Sequence, residues 1–403
     1  MHILFVTPYV PSPIRVRPYQ LIRALSRRNK VTVLALCTSE KERGDLERLR
    51  EEGYEVEGVG LSKVQAIRNC LLVVPMPIPL QAAYCRSTVM NERIRQALRR
   101  GSYDVVHIEH LRGASYGRAV PPDVLKVYDA VDCMSLLLER TIRSSHSLKQ
   151  RMLAQMELGK MRRYEGKVAG SYDKVVITSK DDLQALLSLN SALDASVLPN
   201  GVDLDYFTPD VSSGDADAIV FTGKMSYHAN GTAAHYFARE VFPLVLQERP
   251  RARLFIVGSD PPADVLRLGT HPNITVTGFV SDLRTYLGRA AVAVCPVTVK
   301  VGIQNKILEA MACGVPVVST PLGLSGLSAR ENESILLGDS PSEFAANVLA
   351  LLEDSGLRGK ISEGGRRYVE ENHDWGLIGT RLEQDYLQAL AGRRGHLRAQ
   401  TRA

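Results

Sequence analysis

The sequence predicts an α/β protein with two doubly wound, Rossmann-like parallel-sheet domains in tandem. The chain has 403 residues, which exceeds the length that one hydrophobic core usually organises. Short apolar strands alternate with amphipathic helices twice along the chain, as is typical of parallel sheets covered by helices. A turn-rich stretch at 197–209 separates the two sets. Because ligands of such sheets bind outside the carboxyl ends of the strands, we expect the two domains to face one cleft.

The first domain is predicted to comprise residues 1–198. Its strands are expected at 2–7, 31–36, 54–61, 105–107, 125–128 and 175–178, and its helices at 17–28, 39–52, 136–170 and 181–189. The loops that follow three of the strands, at 8–17, 107–113 and 129–135, should therefore hold its ligand-binding residues.

The second domain is predicted to comprise residues 199–374. Its strands are expected at 218–222, 253–257, 273–277, 292–294 and 315–319, and its helices at 231–247, at 307–312 and from 342 and 355 onward. A last helical stretch at 375–390 is expected to pack back on the first domain. The basic tail at 391–403 is expected to be unstructured.

Composition and sorting signals favour a cytoplasmic protein. The six cysteines are scattered without a C-x-x-C pair, which indicates a reducing compartment and neither a disulfide framework nor a zinc site. The first residues predict a strand and not a signal peptide. No apolar run is long enough to predict a membrane-spanning helix.

Positive charge is concentrated in the first half of the chain. Residues 1–200 hold 30 Lys and Arg against 21 Asp and Glu, a net of +9, whereas the whole chain has a net charge of +6. This predicts an anionic partner for the first domain. Nucleic acid is disfavoured because the basic residues are not interleaved with aromatic ones. The basic stretch 140–167 suits peripheral contact with the inner face of the plasma membrane, and an ordinary solvated helix explains it as well.

The stretch from Gly302 to Thr320 predicts a loop, a short helix and a buried strand. The loop delivers free backbone N–H groups and the positive end of a helix dipole, which together form an anion site. Lys306 adds a positive charge there. Glu309 lies one turn further on, where a carboxylate could accept hydrogen bonds from two neighbouring hydroxyls, as on a ribose. An ordinary core helix, with Glu309 as its dipole partner, explains the same residues.

Three predicted strands of the second domain end at glycines, namely Gly223, Gly258 and Gly278. Glycine lets the backbone approach a ligand closely at the edge of the sheet. Lys224 follows the first of them and is a candidate phosphate-binding cation. The chain has neither a Walker loop nor a G-x-G-x-x-G motif, which argues against an ATPase or a dinucleotide enzyme. A nucleotide site of another kind is therefore predicted.

These motifs, taken together, resemble those of retaining glycosyltransferases of family 4, which have the two-domain GT-B fold. The resemblance covers nearly the whole chain and is strongest over 197–320. The motifs that carry it are Leu198-Pro-Asn-Gly-Val-Asp203, Phe221-Thr-Gly-Lys-Met225, Phe255-Ile-Val-Gly258 and Lys306-Ile-Leu-Glu-Ala-Met-Ala-Cys-Gly-Val-Pro-Val-Val318. The stretch 129–135 is similar to a bacterial subgroup of sugar transferases from exopolysaccharide clusters.

The resemblance implies a nucleotide-diphosphate sugar as co-substrate, with no cofactor and no metal. Glu309 would hold the donor ribose, Lys224 the diphosphate, and the backbone at 278–280 the base. Val301 stands where the family has a sugar-binding Glu, and no second basic residue is evident at 227–230, so Lys306 is the candidate to replace that charge. The donor-binding residues implied are Gly223, Lys224, Gly258, Gly278, Phe279, Val280, Gly302, Ile303, Gln304, Asn305, Lys306 and Glu309.

Catalysis in the family relies on stabilising the leaving diphosphate. The resemblance therefore makes Lys224 and Glu309 catalytic candidates as well as donor-binding ones. Asp129 or Asp132 stands where relatives often have a helpful polar residue, and Asp132 is equally well explained as a helix cap. Four residues are candidates for the acceptor or phosphate side: Arg15, Arg17, His107 and His110. A solvated face explains the arginines as well, and a polar cleft wall is favoured over metal binding for the histidines.

The predicted function is transfer of a hexose to an acceptor hydroxyl of a glycan, a lipid-linked molecule or a small molecule. Two alternatives remain open: an inactive nucleotide-sugar-binding scaffold, and a nucleotide-sugar epimerase of the same fold. Asp203 and Asp205 imitate the D-x-D metal motif of another glycosyltransferase fold, but a linker turn is the favoured interpretation.

Overall fold

The computed structural model describes residues 1–144, 147–209, 214–299 and 302–400. These residues form two compact units, Met1–Pro199 with Gly376–Ala403 and Asn200–Trp375. Each unit contains one sheet, and every strand pair in both sheets is parallel. The predicted α/β class with two Rossmann-like sheets is therefore confirmed.

The first unit has a seven-stranded sheet in the order β3-β2-β1-β4-β5-β6-β7. Its strands are β1 (His2–Thr7), β2 (Lys30–Cys37), β3 (Glu55–Gly60), β4 (Val105–Glu109), β5 (Leu125–Val131), β6 (Lys174–Ile177) and β7 (Ala195–Val197). Its helices are α1 (Val16–Ser26), α2 (Glu40–Glu51), α3 (Lys63–Val73), α4 (Leu80–Tyr84), α5 (Thr88–Arg100), α6 (His110–Gly113), α7 (Met134–Ser144), α8 (Leu148–Ala169), α9 (Lys180–Leu189) and α17 (Trp375–Gln400), with a 3-10 segment at Ala114–Ala119.

The second unit has a six-stranded sheet in the order β10-β9-β8-β11-β12-β13. Its strands are β8 (Asp215–Thr222), β9 (Arg253–Val257), β10 (Ile274–Gly278), β11 (Ala290–Cys295), β12 (Val317–Ser319) and β13 (Leu336–Leu337). Its helices are α10 (His228–Tyr236), α11 (Phe242–Glu248), α12 (Ala263–Leu266), α13 (Arg284–Leu287), α14 (Asn305–Ala312), α15 (Pro341–Glu353) and α16 (Ser355–Asn372), with a π segment at Phe237–Val241 and a 3-10 segment at Arg267–Thr270.

Burial on both faces explains why the strands are almost continuously apolar. Phe5 in β1 and Phe221 in β8 are both nearly inaccessible to solvent, as expected for strands covered by helices on each side. Serines begin several of the covering helices: Ser39 accepts a hydrogen bond from the Glu42 N–H, and Ser340 forms a capping box with Glu343. Such caps satisfy N–H groups that the first helical turn leaves without partners.

Two predicted elements differ from the structure. The helical stretch predicted at 136–170 is two helices, α7 and α8, separated at residues 145–146, which lie outside the described residues. The tail was predicted to be unstructured from residue 391, and that prediction is wrong, because α17 continues to Gln400. Residues 401–403 lie outside the described part of the chain.

Helix α17 is fixed to the first unit by polar contacts. The fully buried Tyr386 hydroxyl is hydrogen-bonded to His107 Nδ1 at 2.7 Å. Asp385 accepts a hydrogen bond from the Ser196 hydroxyl at 3.0 Å, and Glu383 accepts one from the Asn29 amide at 2.9 Å. Helix α17 therefore packs with the helices of the first unit, although it follows the second unit in the sequence.

Replacing Tyr386 with Phe should destabilise the first unit. The change leaves His107 Nδ1 buried without its partner, which costs roughly 1–3 kcal/mol of unfolding free energy. Urea unfolding followed by circular dichroism measures the loss. As a control, Tyr84→Phe alters an exposed ring and should change the unfolding free energy by less than about 0.5 kcal/mol. Equal midpoints for Tyr386→Phe and the native protein would contradict a stabilising role for this bond.

Candidate functional site

The glycine-bearing strand ends of the second unit pack tightly together. Gly223, Gly258 and Gly278 have φ angles of +152°, +149° and +70°, a region that residues with a Cβ rarely adopt. A Cβ on Gly258 would lie 1.8 Å from the Gly223 carbonyl oxygen, and the Gly258 N–H donates to the Gly278 carbonyl at 3.2 Å. Only glycine fits at the centre of this group, which lies at the carboxyl edge of the sheet, as predicted.

A loop leads from β11 into α14, and side chains of the second unit brace the start of this helix. The Gln304 amide donates to the Gly302 carbonyl at 2.8 Å, while Ile303 packs against the hydrophobic core. Asn305 begins α14, and its Oδ1 is buried without a hydrogen-bond partner among the described residues. Val301, where the family resemblance expects a carboxylate, lies outside the described residues.

The Lys306 ammonium is the best-defined charge at this helix end. Lys306 Nζ donates to Asn230 Oδ1 at 2.8 Å and to Gln304 Oε1 at 2.9 Å, and lies 5.4 Å from the centre of the Phe221 ring. A lysine ammonium has three N–H donors, so one N–H of Lys306 is left after these two hydrogen bonds. Burial lowers the pKa of Lys306. No carboxylate of the described residues forms an ion pair with it.

Asn230 is a site residue that the sequence did not reveal. It belongs to α10 and is almost fully buried. Its side chain accepts from Lys306 and donates to the Lys224 carbonyl at 2.9 Å, so it joins the loop after β8 to the start of α14. Asn230 ends the stretch 227–230, which contains no Lys or Arg, and a short amide carries no signal of this role in the sequence.

Glu309 lies one turn inside α14 and is half-buried. Burial raises the pKa of Glu309, and the nearby Lys306 partly opposes the shift. The Glu309 side chain forms no hydrogen bond with any other of the described residues. A partly desolvated carboxylate without partners is costly unless a ligand supplies them.

Lys224 and Phe279 lie at the surface of the same sheet edge. The Lys224 ammonium is 3.4 Å from Asp260 Oδ2, and both side chains are more than 60% exposed, so this ion pair is weak. Phe279 is 77% exposed directly after β10, whereas the adjacent Val280 packs against the core. An exposed aromatic ring at a strand end offers a flat surface on which a base can stack.

In the first unit, two of the predicted site residues bind each other. Arg17 Nε donates to Asp129 Oδ2 at 2.8 Å, and Arg17 Nη2 donates to Asp129 Oδ1 at 3.1 Å. Both side chains are almost fully buried. The structure therefore does not support Arg17 as a grip on phosphate or acceptor, nor Asp129 as a group that reaches substrate. The pair instead locks the start of α1 to the end of β5.

The two predicted histidines, His107 and His110, are both hydrogen-bonded to other groups of the first unit. His107 is fully buried, stacks on Phe5 with ring centres 4.3 Å apart and is hydrogen-bonded to Tyr386, so in this structure it packs in the interior of the first unit. Burial lowers its pKa to about 4. His110 has a left-handed backbone with φ of +62°, and its Nδ1 accepts a hydrogen bond from the Arg112 N–H at 3.2 Å. Burial lowers its pKa to about 4 as well.

Asp132 follows a strained turn at the end of β5. Val131 has φ of +65°, which is rare for a β-branched residue and indicates that its surroundings enforce it. Burial, with a contribution from Asp182, raises the pKa of Asp132 to about 6. Asp132 does not cap α7, because Glu165 accepts the first N–H groups of that helix, including that of Ser135 at 2.8 Å. Asp129 is ion-paired with Arg17, whereas the Asp132 carboxyl forms no hydrogen bond or ion pair with another of the described residues.

Tyr9 and Glu109 form a buried pair that the sequence did not reveal. The Tyr9 hydroxyl donates to Glu109 Oε1 at 2.9 Å, and the Arg15 guanidinium lies 4.3 Å from the Tyr9 ring centre. Arg15 is also ion-paired with Glu42 at 2.6 Å. Burial, reinforced by Asp129, raises the pKa of Glu109 to about 8. Glu109 is the last residue of the buried strand β4. A carboxylate at the end of a buried strand is the feature of the sequence that could have indicated this pair.

Asp203 and Asp205 form a turn. Asp203 Oδ1 accepts from the backbone N–H groups of Asp205 at 3.2 Å and Tyr206 at 3.1 Å. An aspartate that closes its own turn in this way is typical of loop starts. The linker interpretation of this motif agrees with these contacts.

Comparison with known proteins identifies the class. The family described as "Glycosyltransferase Family 4" matches residues 15–206, and the one described as "Glycosyl transferases group 1" matches residues 216–354. The chain belongs to glycosyltransferase family 4, and its two parallel sheets are those of the GT-B fold.

Named relatives are similar over parts of their length. The chain is 28% identical over 205 residues to the GDP-mannose-dependent monoacylated alpha-(1-6)-phosphatidylinositol monomannoside mannosyltransferase of Corynebacterium glutamicum, covering 46% of this chain and 54% of that protein. It is 26% identical over 289 residues to a D-inositol 3-phosphate glycosyltransferase of Salinispora arenicola, covering 62% and 64%. The match therefore spans between half and two thirds of these two relatives.

A solved structure shares the fold over nearly the whole chain. Anabaena HepE, in complex with UDP, superposes with a TM-score of 0.67 at 15% identity and covers 96% of this chain and 100% of that chain. At this identity the likeness establishes the fold.

Glu109→Gln should remove a pH dependence of stability. Because burial raises the Glu109 pKa from 4.5 to about 8, the folded protein holds a proton there that the unfolded chain releases, so the unfolding free energy falls as pH rises through this window. His107 and His110, with pKa values lowered from 6.5 to about 4, act in the opposite sense until the unfolded histidines have lost their protons, at about pH 7.5. Urea unfolding between about pH 7.5 and 8 therefore reports mainly on Glu109.

In that range the native protein should lose stability with rising pH, and Glu109→Gln should not. Glu51→Gln, at an exposed position at the end of α2, is the matched control and should keep the native slope. A native slope in Glu109→Gln would show that Glu109 is ionised in the folded protein.

Proposed function

We infer that this glycosyltransferase moves a hexose from a nucleoside-diphosphate sugar to an acceptor hydroxyl with retention of the anomeric configuration. The bond between the sugar C1 and the β-phosphate oxygen breaks, and the acceptor oxygen bonds to C1 on the same face. The acceptor proton passes to the departing phosphate oxygen. The motif at 129–135 favours an acceptor in polysaccharide or glycoconjugate synthesis.

The observation that carries this proposal is the arrangement at the start of α14. Lys306 retains one N–H donor and has no carboxylate partner among the described residues, and the Glu309 carboxylate one turn away makes no bond to a described protein group. A diphosphate fits the first group because the ammonium and the helix dipole are both positive. A ribose fits the second because adjacent hydroxyls donate two hydrogen bonds to one carboxylate.

In this proposal, stabilisation of the leaving group drives the reaction. Negative charge builds on the diphosphate as the bond to C1 breaks, and a preorganised cation at that position lowers the barrier. Asn230 and Gln304 hold Lys306 in place before the donor arrives, so little reorganisation is needed. The proposal assigns to this lysine and the helix end the role that a divalent metal has in other transferases.

The base and the sugar are left to experiment, and two candidates are favoured. A relative is named for GDP-mannose, and the similar Anabaena structure holds UDP. Gly278, the exposed Phe279 ring and Val280 would contact the base. A thermal-shift screen with GDP, UDP, GDP-mannose and UDP-glucose selects the base and the hexose together, because the correct donor should raise the unfolding temperature most.

Glu309→Gln should weaken binding of the selected nucleoside diphosphate. Losing the charge-assisted hydrogen bonds to the ribose costs about 1.5–3 kcal/mol, which is about a 10- to 150-fold rise in Kd. Titration calorimetry measures it. The control is Glu353→Gln, at an exposed position at the end of α15, and it should bind as the native protein does. Unchanged affinity in Glu309→Gln would remove Glu309 from the donor site.

Turnover distinguishes the transferase from its two rivals. A transferase should slowly hydrolyse the selected donor without acceptor, releasing the free sugar and the nucleoside diphosphate. An epimerase would instead change the configuration of the sugar. Tight binding without turnover on any acceptor would indicate a scaffold protein and overturn the catalytic part of the proposal.

A further inference from the structure

A pocket of about 360 Å³ on the first unit is lined by arginines and by no acidic side chain. Arg68 comes from α3, Arg86 precedes α5, Arg95 lies on α5, and Arg118 lies on the 3-10 segment at 114–119. Uncharged polar side chains complete the lining, so the pocket offers hydrogen-bond donors on several sides: Gln65, Asn69, Ser87, Thr88, Asn91 and Ser115. None of these residues was predicted to be part of a site.

The positive charge of this pocket is not neutralised locally. Among the ion pairs of the described residues, only Arg95 has a carboxylate partner, Glu92, at 3.6 Å between half-exposed side chains. The sequence from residue 61 to residue 91 contains no Asp or Glu. Guanidinium groups match the planar, multidentate geometry of phosphate oxygens. The chemistry of the pocket therefore suits a phosphate group.

Helix α3, which supplies Arg68, also presents an apolar ridge to solvent. Val64, Ile67 and Leu71 are 77%, 57% and 66% exposed, and their spacing places them on one face of the helix. That face lies opposite the buried Ala66 and Val73. Arg68 is next to the ridge in the helical projection, so the apolar surface and the arginine pocket are continuous along α3.

Helix α8 carries a second ridge of the same kind. Leu148, Met152 and Met156 recur every fourth residue and are 72%, 67% and 72% exposed. The Lys160 ammonium donates to the Val74 carbonyl at the end of α3 at 2.8 Å, so the two helices are neighbours. We call these six residues, three on α3 and three on α8, the α3–α8 apolar surface. A largely apolar groove of about 230 Å³ adjoins it beside Leu153.

This concentration of apolar side chains is unusual for the molecule. Ten of the twenty large hydrophobic side chains that are exposed in the described residues fall within 64–76 and 148–156. Exposed apolar patches rimmed by polar residues mark sites of association. Cations flank the ridge of α8, including Lys149, Arg151 and Lys160, and no acidic residue lies between Glu139 and Glu157.

The charge decides which partner suits this surface. In a symmetric dimer, the same patch of each copy would face the other, and the arginine pockets would repel. A small soluble phosphate ester would satisfy the pocket and leave the apolar ridges in water. A bilayer that contains anionic phospholipid satisfies both, because headgroup phosphates meet the arginines while the ridges enter the acyl boundary.

We propose that the arginine pocket binds the headgroup phosphate of an anionic lipid and that the α3–α8 apolar surface inserts beside it, holding the first unit on a membrane. This contact lies outside the donor-binding residues and does not depend on the proposed reaction. The sequence predicted peripheral membrane contact through the whole basic stretch 140–167, and the proposal assigns this contact to the arginine pocket and the α3–α8 apolar surface. None of the helices in the described residues is both long and apolar enough to cross a membrane.

Vesicle co-sedimentation of the full chain tests the proposal. Vesicles of phosphatidylcholine with phosphatidylglycerol should bind the protein, and vesicles of phosphatidylcholine alone should bind it much more weakly. Each basic side chain near an anionic surface contributes about fivefold, so Arg68→Gln/Arg118→Gln should weaken binding by about 30-fold. Ile67→Ser/Leu71→Ser should weaken it by at least about tenfold, because two inserted side chains become polar.

Matched controls separate these effects from net charge and surface hydrophobicity. Arg43→Gln/Arg48→Gln removes two exposed positive charges from α2, and Leu266→Ser removes an exposed apolar side chain from the second unit. Both controls should bind vesicles nearly as the native protein does. Because the affected positions are exposed, all variants should keep the native unfolding temperature.

Three results would overturn the proposal. The first is equal binding to both kinds of vesicle, or equal loss in the controls. The second is stabilisation by inorganic phosphate, lost in Arg68→Gln/Arg118→Gln, without vesicle binding, which would indicate a soluble phosphate ester. The third is dimerisation in solution, lost in Ile67→Ser/Leu71→Ser, without vesicle binding, which would assign the apolar surface to a second copy of the chain.

Discussion

The second unit is organised around a lysine ammonium that is partly withdrawn from water and has no carboxylate partner among the described residues. Placing a charge in such surroundings is costly unless hydrogen bonds hold it, and Asn230 and Gln304 supply two. Their positions require α10 and α14 to begin side by side. The close approach of Gly223 and Gly258 brings the neighbouring strand ends together at the same edge. In the proposed function, the diphosphate of the donor supplies the negative charge that this arrangement lacks, so the packing of the sheet edge prepares the binding site.

The first unit treats the same edge of its sheet differently. Its polar and charged side chains contact one another: Arg17 forms an ion pair with Asp129, the Tyr9 hydroxyl donates to Glu109, and His107 is hydrogen-bonded to Tyr386 of α17. Breaking a buried pair leaves an uncompensated group, so these contacts lock loops and helices in place. The strained backbone at His110 and Val131 accompanies them. Three arginines without a carboxylate partner among the described residues, Arg68, Arg86 and Arg118, instead line the pocket beside α3 and α5, and the proposed lipid contact rests on them.

Much of the fold followed from local patterns. Buried parallel strands are short apolar runs, and helix starts carry serine caps, so β1, β9 and most other strands were placed within one or two residues. The division of 136–170 into two helices was missed although the sequence carries a signal for it, because serine favours helix caps and Ser147 caps α8. Helix α3 was not predicted because several of its apolar residues lie on an exposed face, where the usual relation between hydrophobicity and burial fails. Helices α4 and α5 were missed as well, although α5 buries Met90 and Ile94.

The sequence by itself determined which backbone positions form this edge of the second sheet, because the glycines at three strand ends and the start of α14 are local features. Only the tertiary structure decided the partners of the charged side chains. Arg17 and Asp129 are 112 residues apart, Lys306 and Asn230 are 76 apart, and His107 and Tyr386 are 279 apart. Such pairs form because strand order brings distant ends together, and residue spacing along the chain carries no record of that order. The role of a charged residue is therefore ambiguous until its neighbours are known: Asp129 is held by Arg17, whereas the Lys306 ammonium makes two hydrogen bonds and retains a third N–H donor.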